Sequence, residues 1–203
     1  YAKSKGIFVI NTPLASSRSV AEMVFAHFFS LARYLHDSNR TMPLEGDTQF
    51  NALKKSYSKA IELQGKTLGV IGMGGIGKEV LKIGISLGMK VKVFTRNPKT
   101  ETLSLSFFDG QEVQFNISST QDWSNFLKDC DFISINTPKT NGYLIDQKEF
   151  EMMKDGVYIV NTARGGTINE STLLEYIDSG KVAGAALDVF ENERLKSTLM
   201  SDL

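Results

Sequence analysis

Apolar residues along the chain fall into two alternating patterns. Gly6–Ile10, Thr67–Ile71, Asp131–Asn136, Gly156–Val160 and Ala183–Val189 are short apolar runs bounded by polar or turn-forming residues, as expected of strands covered on both faces. Lys90–Phe94 alternates polar and apolar residues and predicts a strand with one wetter face. The stretches between carry helical spacing. Over Ser17–Leu35, the residues Val20, Val24, Phe28, Leu31 and Leu35 make one stripe, while Phe25 and Phe29 add a second apolar face. Helices are also predicted from the glycines at 74–77 to Gly88, over Asp122–Lys128, over Asp146–Met153, and over Asn169–Ser179 with Gly180 as its cap. The segment Asp37–Gln64 is polar and contains Pro43 and Gly46; it reads as a connecting arm with a short helix around Phe50–Tyr57. Pro98–Ser119 is irregular, with an extra strand expected over Gln111–Ile117 after the turn at Asp109-Gly110.

Strands alternating with helices specify an α/β fold, a doubly wound parallel sheet with helices on both faces. Ligands of such sheets lie beyond the carboxyl ends of the strands. The segments to inspect are therefore 72–77, 95–97, 136–138, 161–166 and 188–193.

The first of these is the most specific. Gly72-Met73-Gly74-Gly75-Ile76-Gly77 is a G-x-G-x-x-G placed between a buried strand and an amphipathic helix. Gly72 permits the tight turn, Gly74 lets the backbone approach a pyrophosphate, and Gly77 lets helix and strand pack closely. The N–H groups at the helix start, those of Gly75 and Ile76 among them, then hold the anion. This is the Rossmann-type fingerprint, and the whole of 1–203 is expected to be one dinucleotide-binding domain.

An acid is expected after the second strand to hold the adenosine ribose hydroxyls. Thr95 stands there instead, followed by Arg96. Arg96 could pair with a 2′-phosphate, which favours NADP; alternatively Thr95 alone meets the ribose and Arg96 is a solvated surface residue. Asn136, Thr137 and Pro138 end the next strand and line the same crevice. In Thr162-Ala163-Arg164-Gly165-Gly166, small residues flank an arginine whose planar fork matches a carboxylate. They also leave room for substrate and nicotinamide. Asp188 ends an apolar strand, where a carboxylate needs a partner; the nicotinamide amide is a candidate. Glu193 reads by itself as one acid on an exposed turn.

Composition narrows the classes. Lys plus Arg and Asp plus Glu are both 23 among 203 residues, so no basic excess points to nucleic acid. No apolar run is long enough to span a bilayer, and the first residues do not form a secretory signal. The single cysteine, Cys130, forms no internal disulfide and suits a reducing compartment. A cytoplasmic protein is expected. His27 and His36 are the only histidines; neither follows a strand, and no metal-ligand cluster is visible.

Taken together, these segments resemble the D-2-hydroxyacid dehydrogenases. The likeness is carried by Asn11-Thr12-Pro13, Ser19-Val20-Ala21-Glu22, Met42-Pro43-Leu44-Glu45-Gly46-Asp47, Gly65–Gly72, Asp131–Ser134, Asn161–Gly166 and Leu187-Asp188-Val189-Phe190. It implies hydride transfer between a nicotinamide cofactor, NAD by default, and a small-molecule 2-hydroxy acid. The branch acting on 3-phosphoglycerate in serine biosynthesis is expected. The alternatives are a glyoxylate or hydroxypyruvate reductase and, from another class, a dinucleotide-sensing transcriptional corepressor. The resemblance implies that Arg164 binds the substrate carboxylate and polarises the reacting oxygen. It also implies that Glu193 pairs with a catalytic histidine, and that Asp188 faces the nicotinamide. That histidine is expected in a Pro-His segment after Glu193, which the sequence to Leu203 does not contain, and a separate substrate domain is implied as well. This chain alone is expected to bind cofactor without turning over a hydroxy acid. A homodimer is expected through the helix over 17–35 and the arm that follows.

Overall fold

The computed structural model describes residues 1–12 and 14–191. Seven strands form one sheet: β1 (Thr67–Ile71), β2 (Lys90–Phe94), β3 (Thr100–Ser106), β4 (Glu112–Thr120), β5 (Phe132–Ile135), β6 (Val157–Asn161) and β7 (Val182–Leu187). Their order is β3-β4-β2-β1-β5-β6-β7, and only β3 and β4 pair antiparallel.

The continuous apolar runs are explained by cover on both faces. Leu68, Val70, Phe132, Tyr158 and Val160 point towards α1 (Ser17–Ala32) and α3 (Gly75–Ser86). Ile71, Ile133, Ile135, Val157 and Ile159 point the other way, towards α4 (Trp123–Leu127), α5 (Gln147–Met152) and α6 (Glu170–Asp178). On the α1 side, Phe28 meets Phe132 edge to face at 5.1 Å; on the other, Phe150 stacks on Tyr176 at 4.9 Å. Cys130 is fully buried, and burial pushes its thiol up to about 12, so it packs as a small inert side chain.

Five expectations are corrected. Gly6–Ile10 is not a strand: Phe8 is 94% and Ile10 87% exposed. An apolar run specifies a wish for burial, not a pairing partner, and no described strand pairs with this one. The first helix ends at Ala32 rather than Leu35, because Tyr34 adopts left-handed backbone with φ 53°. Phe25 on the supposed second face is buried in this domain's own core, which leaves Met23 and Phe29 exposed. The polar arm is largely helical, α2 (Leu35–Tyr57), with Pro43 inside it and no buried residue. Sixteen residues of straight helix would separate Thr41 from Tyr57 by about 24 Å, yet their hydroxyls are hydrogen-bonded. The helix therefore doubles back at Gln49, whose backbone is not helical. Finally, β3 was hidden in the irregular stretch. Its Thr100, Thr102, Ser104 and Ser106 face solvent opposite Ser118, Asn116, Gln114 and Glu112, so an edge strand reads as a loop.

Asp131 ties β1 to β5 near their starts, accepting the Thr67 N–H at 2.8 Å and pairing with Lys154 at 2.6 Å. Burial raises its pKa, but Lys154 and the Thr67 N–H outweigh that and hold the carboxyl below its ordinary value. A depressed folded-state pKa stabilises the fold above about pH 4 and loses that contribution as pH falls through the folded value. Asp131→Asn is expected to lower stability at neutral pH and to flatten the acid limb of stability against pH, as read by urea unfolding across pH 2–6. An unchanged acid limb would contradict this role.

Among the described residues, no helix is long and apolar enough to cross a membrane, and no group of three or more His, Cys, Asp or Glu could hold a metal ion.

Candidate functional site

The register places the candidate residues on one line. Phe94 pairs with Ile71, Ile71 with Ile135, Ile135 with Asn161, and Asn161 with Leu187. The next residues, Thr95, Gly72, Asn136, Thr162 and Asp188, therefore follow one another across the carboxyl edge of the sheet. The order of strands reverses between the parallel β1 and β5: β1 leads through α3 to β2 on one side, and β5 opens the other. Crevices of doubly wound sheets form at such a switch point.

The turn out of β1 is built for close approach. Gly72 has φ 96°, and a Cβ there would lie 2.7 Å from the Asn136 carbonyl oxygen. At Gly77 a Cβ would lie 2.0 Å from the Gly72 carbonyl oxygen, so α3 sits directly on the turn. At Gly74 there is open space, with nothing within 4 Å. The first helical bond of α3 runs from the Lys78 N–H to the Gly74 carbonyl. The N–H groups of Gly75, Ile76 and Gly77 precede it and have no intrahelical acceptor, and Gly74 brings no side chain to cap them. The Ile76 side chain packs on the core, so only its backbone faces a ligand.

Beside this turn lies a cleft of about 200 Å³ lined by residues 71–74, 94–96, 136–138, Thr140 and Leu144. It gathers the predicted Gly72, Gly74, Thr95, Arg96, Asn136, Thr137 and Pro138. Thr140 and Leu144 were missed because they follow the strand end by several residues and carry no motif. The Thr137 and Thr162 hydroxyls are buried without a hydrogen-bond partner among the described residues. Buried polar atoms are normally satisfied, and these two lie along the ligand edge. Open space at Gly74, free helix N–H groups and orphan hydroxyls together fit an extended anionic ligand.

Arg164 lies farther along, past β6. Asn161 fixes its loop: Oδ1 accepts the Ala163 N–H at 3.1 Å and Nδ2 donates to the Arg164 carbonyl at 3.3 Å. The Thr167 hydroxyl donates to that same carbonyl at 2.7 Å. The guanidinium is exposed and gives one N–H to the Ala163 carbonyl, which leaves most of its fork free for a carboxylate. A Cβ at Gly165 would lie 1.8 Å from the Phe190 carbonyl oxygen; only glycine lets the turn after β7 close on this loop. Glu191 fastens that turn, accepting the Glu170 N–H at 3.0 Å and the Tyr143 hydroxyl at 3.3 Å. Its negative charge raises the Tyr143 pKa.

Asp188 corrects an expectation. It is exposed, so its carboxylate needs no protein partner, and its backbone N–H bonds the Asn161 carbonyl at 3.0 Å. Glu193 lies outside the described residues.

Residues 25–202 match the family model described as "D-isomer specific 2-hydroxyacid dehydrogenase, NAD binding domain". The chain belongs to this family. Among its members, hydroxypyruvate reductase of Thermotoga maritima is 42% identical over 195 residues, covering 95% of this chain and 57% of that protein. D-3-phosphoglycerate dehydrogenase 1 of Saccharomyces cerevisiae is 34% identical over 199 residues, 97% of this chain and 39% of its own length. The holo crystal structure of Rhodotorula graminis D-mandelate dehydrogenase superimposes with TM-score 0.79 at 26% identity, covering 98% of this chain and 57% of that one. The chain thus spans about half the length of such 2-hydroxyacid dehydrogenases. Its sheet, glycine turn and helix are the family's NAD-binding domain.

Proposed function

We propose that this chain is the cofactor half of an enzyme that interconverts a D-2-hydroxy acid and its 2-oxo acid. The single observation that supports it best is the line of strand ends that runs from the glycine turn to the locked Arg164 loop. In this reading the N–H groups of Gly75, Ile76 and Gly77 take the pyrophosphate. The Thr137 and Thr162 hydroxyls and the exposed Asp188 hold the rest of the dinucleotide. The bound nicotinamide supplies hydride acceptance and donation. Arg164 holds the substrate carboxylate by its fork, and its charge draws electron density towards the reacting oxygen. Oxidising a hydroxyl also needs a group that takes its proton. Glu193 is proposed to pair with a histidine in that role and to raise its pKa.

Two substrates are supported by different observations. The overall resemblance to the 3-phosphoglycerate branch favours 3-phosphoglycerate; the 42% identity to the Thermotoga hydroxypyruvate reductase favours hydroxypyruvate. Turnover of each by the complete polypeptide, followed at the nicotinamide absorbance, separates them. This chain alone is expected to quench or enhance nicotinamide fluorescence without turnover. Binding with no hydride transfer by the complete polypeptide, on any of these acids, would overturn the enzyme reading in favour of a partner-binding one.

We also propose a homodimer through α1 and α2. Met23 and Phe29 remain 47% and 38% exposed on α1, and α2 keeps nothing buried. Light scattering at micromolar concentration should report a dimer; a monomer would refute it.

A further inference from the structure

Parallel neighbours in a sheet need a crossover connection, and an α-helix lying on the sheet is the usual one. Between the parallel β2 and β4 the crossover is instead a strand. β3 passes β4 and pairs antiparallel with its far side, so it becomes the outermost strand of the sheet. Its main neighbours are β4 and α3. The seven residues Thr100–Ser106 leave one edge of their backbone open: among the described residues, no hydrogen bond from another element reaches that edge. Sheets normally blunt such an edge with Pro, Lys, a bulge or a covering segment. Thr-Glu-Thr-Leu-Ser-Leu-Ser has no Pro and no Lys, and its register with β4 is unbroken along the whole strand.

The two ends of the hairpin fix which residues face outwards. The Ser119 N–H donates to the Lys99 carbonyl at 2.9 Å, and the Phe107 N–H donates to the Gln111 carbonyl at 2.9 Å. Both pairs extend the β3–β4 register, and hydrogen-bonded pairs alternate along an antiparallel ladder. Glu101, Leu103 and Leu105 therefore turn their backbone groups inwards to β4. Thr100, Thr102, Ser104 and Ser106 turn theirs outwards. Their hydroxyls do not compete for those groups, because three of them are held across to β4. Thr100 Oγ1 bonds Ser118 Oγ, Thr102 Oγ1 donates to Asn116 Oδ1, and Ser106 Oγ donates to Glu112 Oε1.

A two-fold axis through Leu103 matches this edge to itself. Thr100 then lies opposite the second copy's Ser106, and Thr102 opposite its Ser104. Every outward-facing residue meets an outward-facing residue, and no other antiparallel register pairs all of them. Such hydrogen-bonded pairs exchange two bonds each, which gives about eight across the contact. Charge agrees with the arrangement. Glu101 is held by Lys78 and Lys99 and comes opposite the second copy's Leu105, so like charges are not opposed. The half-buried Leu105 gains cover in return. We propose that β3 is an interface between two copies of this chain, joined edge to edge into one continuous sheet. It uses the strand edge rather than the α1–α2 surface proposed above and does not depend on it. Two such two-fold contacts on one molecule assemble a closed tetramer or an open chain.

Sedimentation equilibrium of the complete polypeptide, wild type and Ser104→Pro, tests the contact. The outward N–H of Ser104 serves nothing within the domain, and proline is tolerated at such edge positions, so the melting temperature should stay close to wild type. Each copy loses a donor, and association through β3 should weaken about tenfold to a hundredfold. Ser104→Lys and Ser104→Glu set like charges diagonally across the axis, about 7–8 Å apart. Each variant alone should stay apart at β3, and an equal mixture of the two should associate again, which a misfolded strand would not do. In the wild type, the Thr102 and Ser104 amides should exchange more slowly as concentration rises, while the inward Leu103 amide should not change. Phe29→Glu on α1 should leave all of these effects in place. Equal masses for wild type, Ser104→Pro and both charge variants overturn the proposal, as do Thr102 and Ser104 amides whose exchange ignores concentration. A mass that falls only with Phe29→Glu also overturns it and leaves the α1–α2 dimer standing.

Discussion

Alanine at Gly77 is expected to abolish dinucleotide binding and to destabilise the domain, whereas alanine at Gly74 is expected to impair binding alone. The Cβ at 77 would meet the Gly72 carbonyl oxygen at 2.0 Å. That oxygen belongs to a backbone fixed between β1 and β5, so α3 must lift. Overpacking of this kind costs about 3 kcal/mol, equivalent to a melting temperature lower by roughly 6–12 °C for a domain of this size. Lifting α3 also carries the N–H groups of Gly75, Ile76 and Gly77 away from the pyrophosphate. At Gly74 the Cβ meets nothing within 4 Å, so the fold tolerates it. The space it enters is the one proposed for the pyrophosphate, and losing a charge-assisted contact there is expected to lower affinity about tenfold to a hundredfold. Calorimetric melts and nicotinamide fluorescence on both variants read the two effects apart. Equal melting temperatures for Gly77→Ala and wild type would contradict the packing account; wild-type affinity in Gly74→Ala would contradict the cradle.

Arg164→Met in the complete polypeptide is the second large effect. The guanidinium makes one side-chain bond within the described residues, to the carbonyl of its neighbour Ala163, and is otherwise exposed. Its loss should leave the melting temperature nearly unchanged. Removing one partner of a hydrogen-bonded ion pair costs roughly 2–5 kcal/mol, so kcat/KM should fall by about a thousandfold. Arg164→Lys keeps the charge but loses the fork and should restore only part of the rate. Near-normal turnover in Arg164→Met would remove this residue from the substrate site.

The candidate site was legible in the sequence because a rule of topology puts ligands beyond the strand ends. Gly72, Thr95, Asn136, Thr162 and Asp188 were singled out as strand-end residues, and the register sets them side by side. Glycine positions were equally readable, since Gly72 and Gly77 leave no volume for a side chain. What stayed hidden depended on contacts distant in sequence. Gly165 needed the approach of Phe190, and Thr140 follows the strand it serves by an irregular stretch. The fold was misread where composition contradicts conformation. β3 alternates like a strand but buries only Leu103 fully. α2 is helical through a proline and a glycine without a core to explain it. Gly6–Ile10 has the composition of a buried strand and lies exposed.

That property of α2 has a thermodynamic corollary. Twenty-three residues none of which is fully buried gain little from the burial that orders most helices. In the proposed dimer their order is coupled to association, and mass action links it to protein concentration. Dilution should unwind this hairpin of helix before it disturbs the sheet. Amide hydrogens of Leu35–Tyr57 should exchange faster as the sample is diluted, while those of β1, β5 and β6 should report the same opening free energy at every concentration.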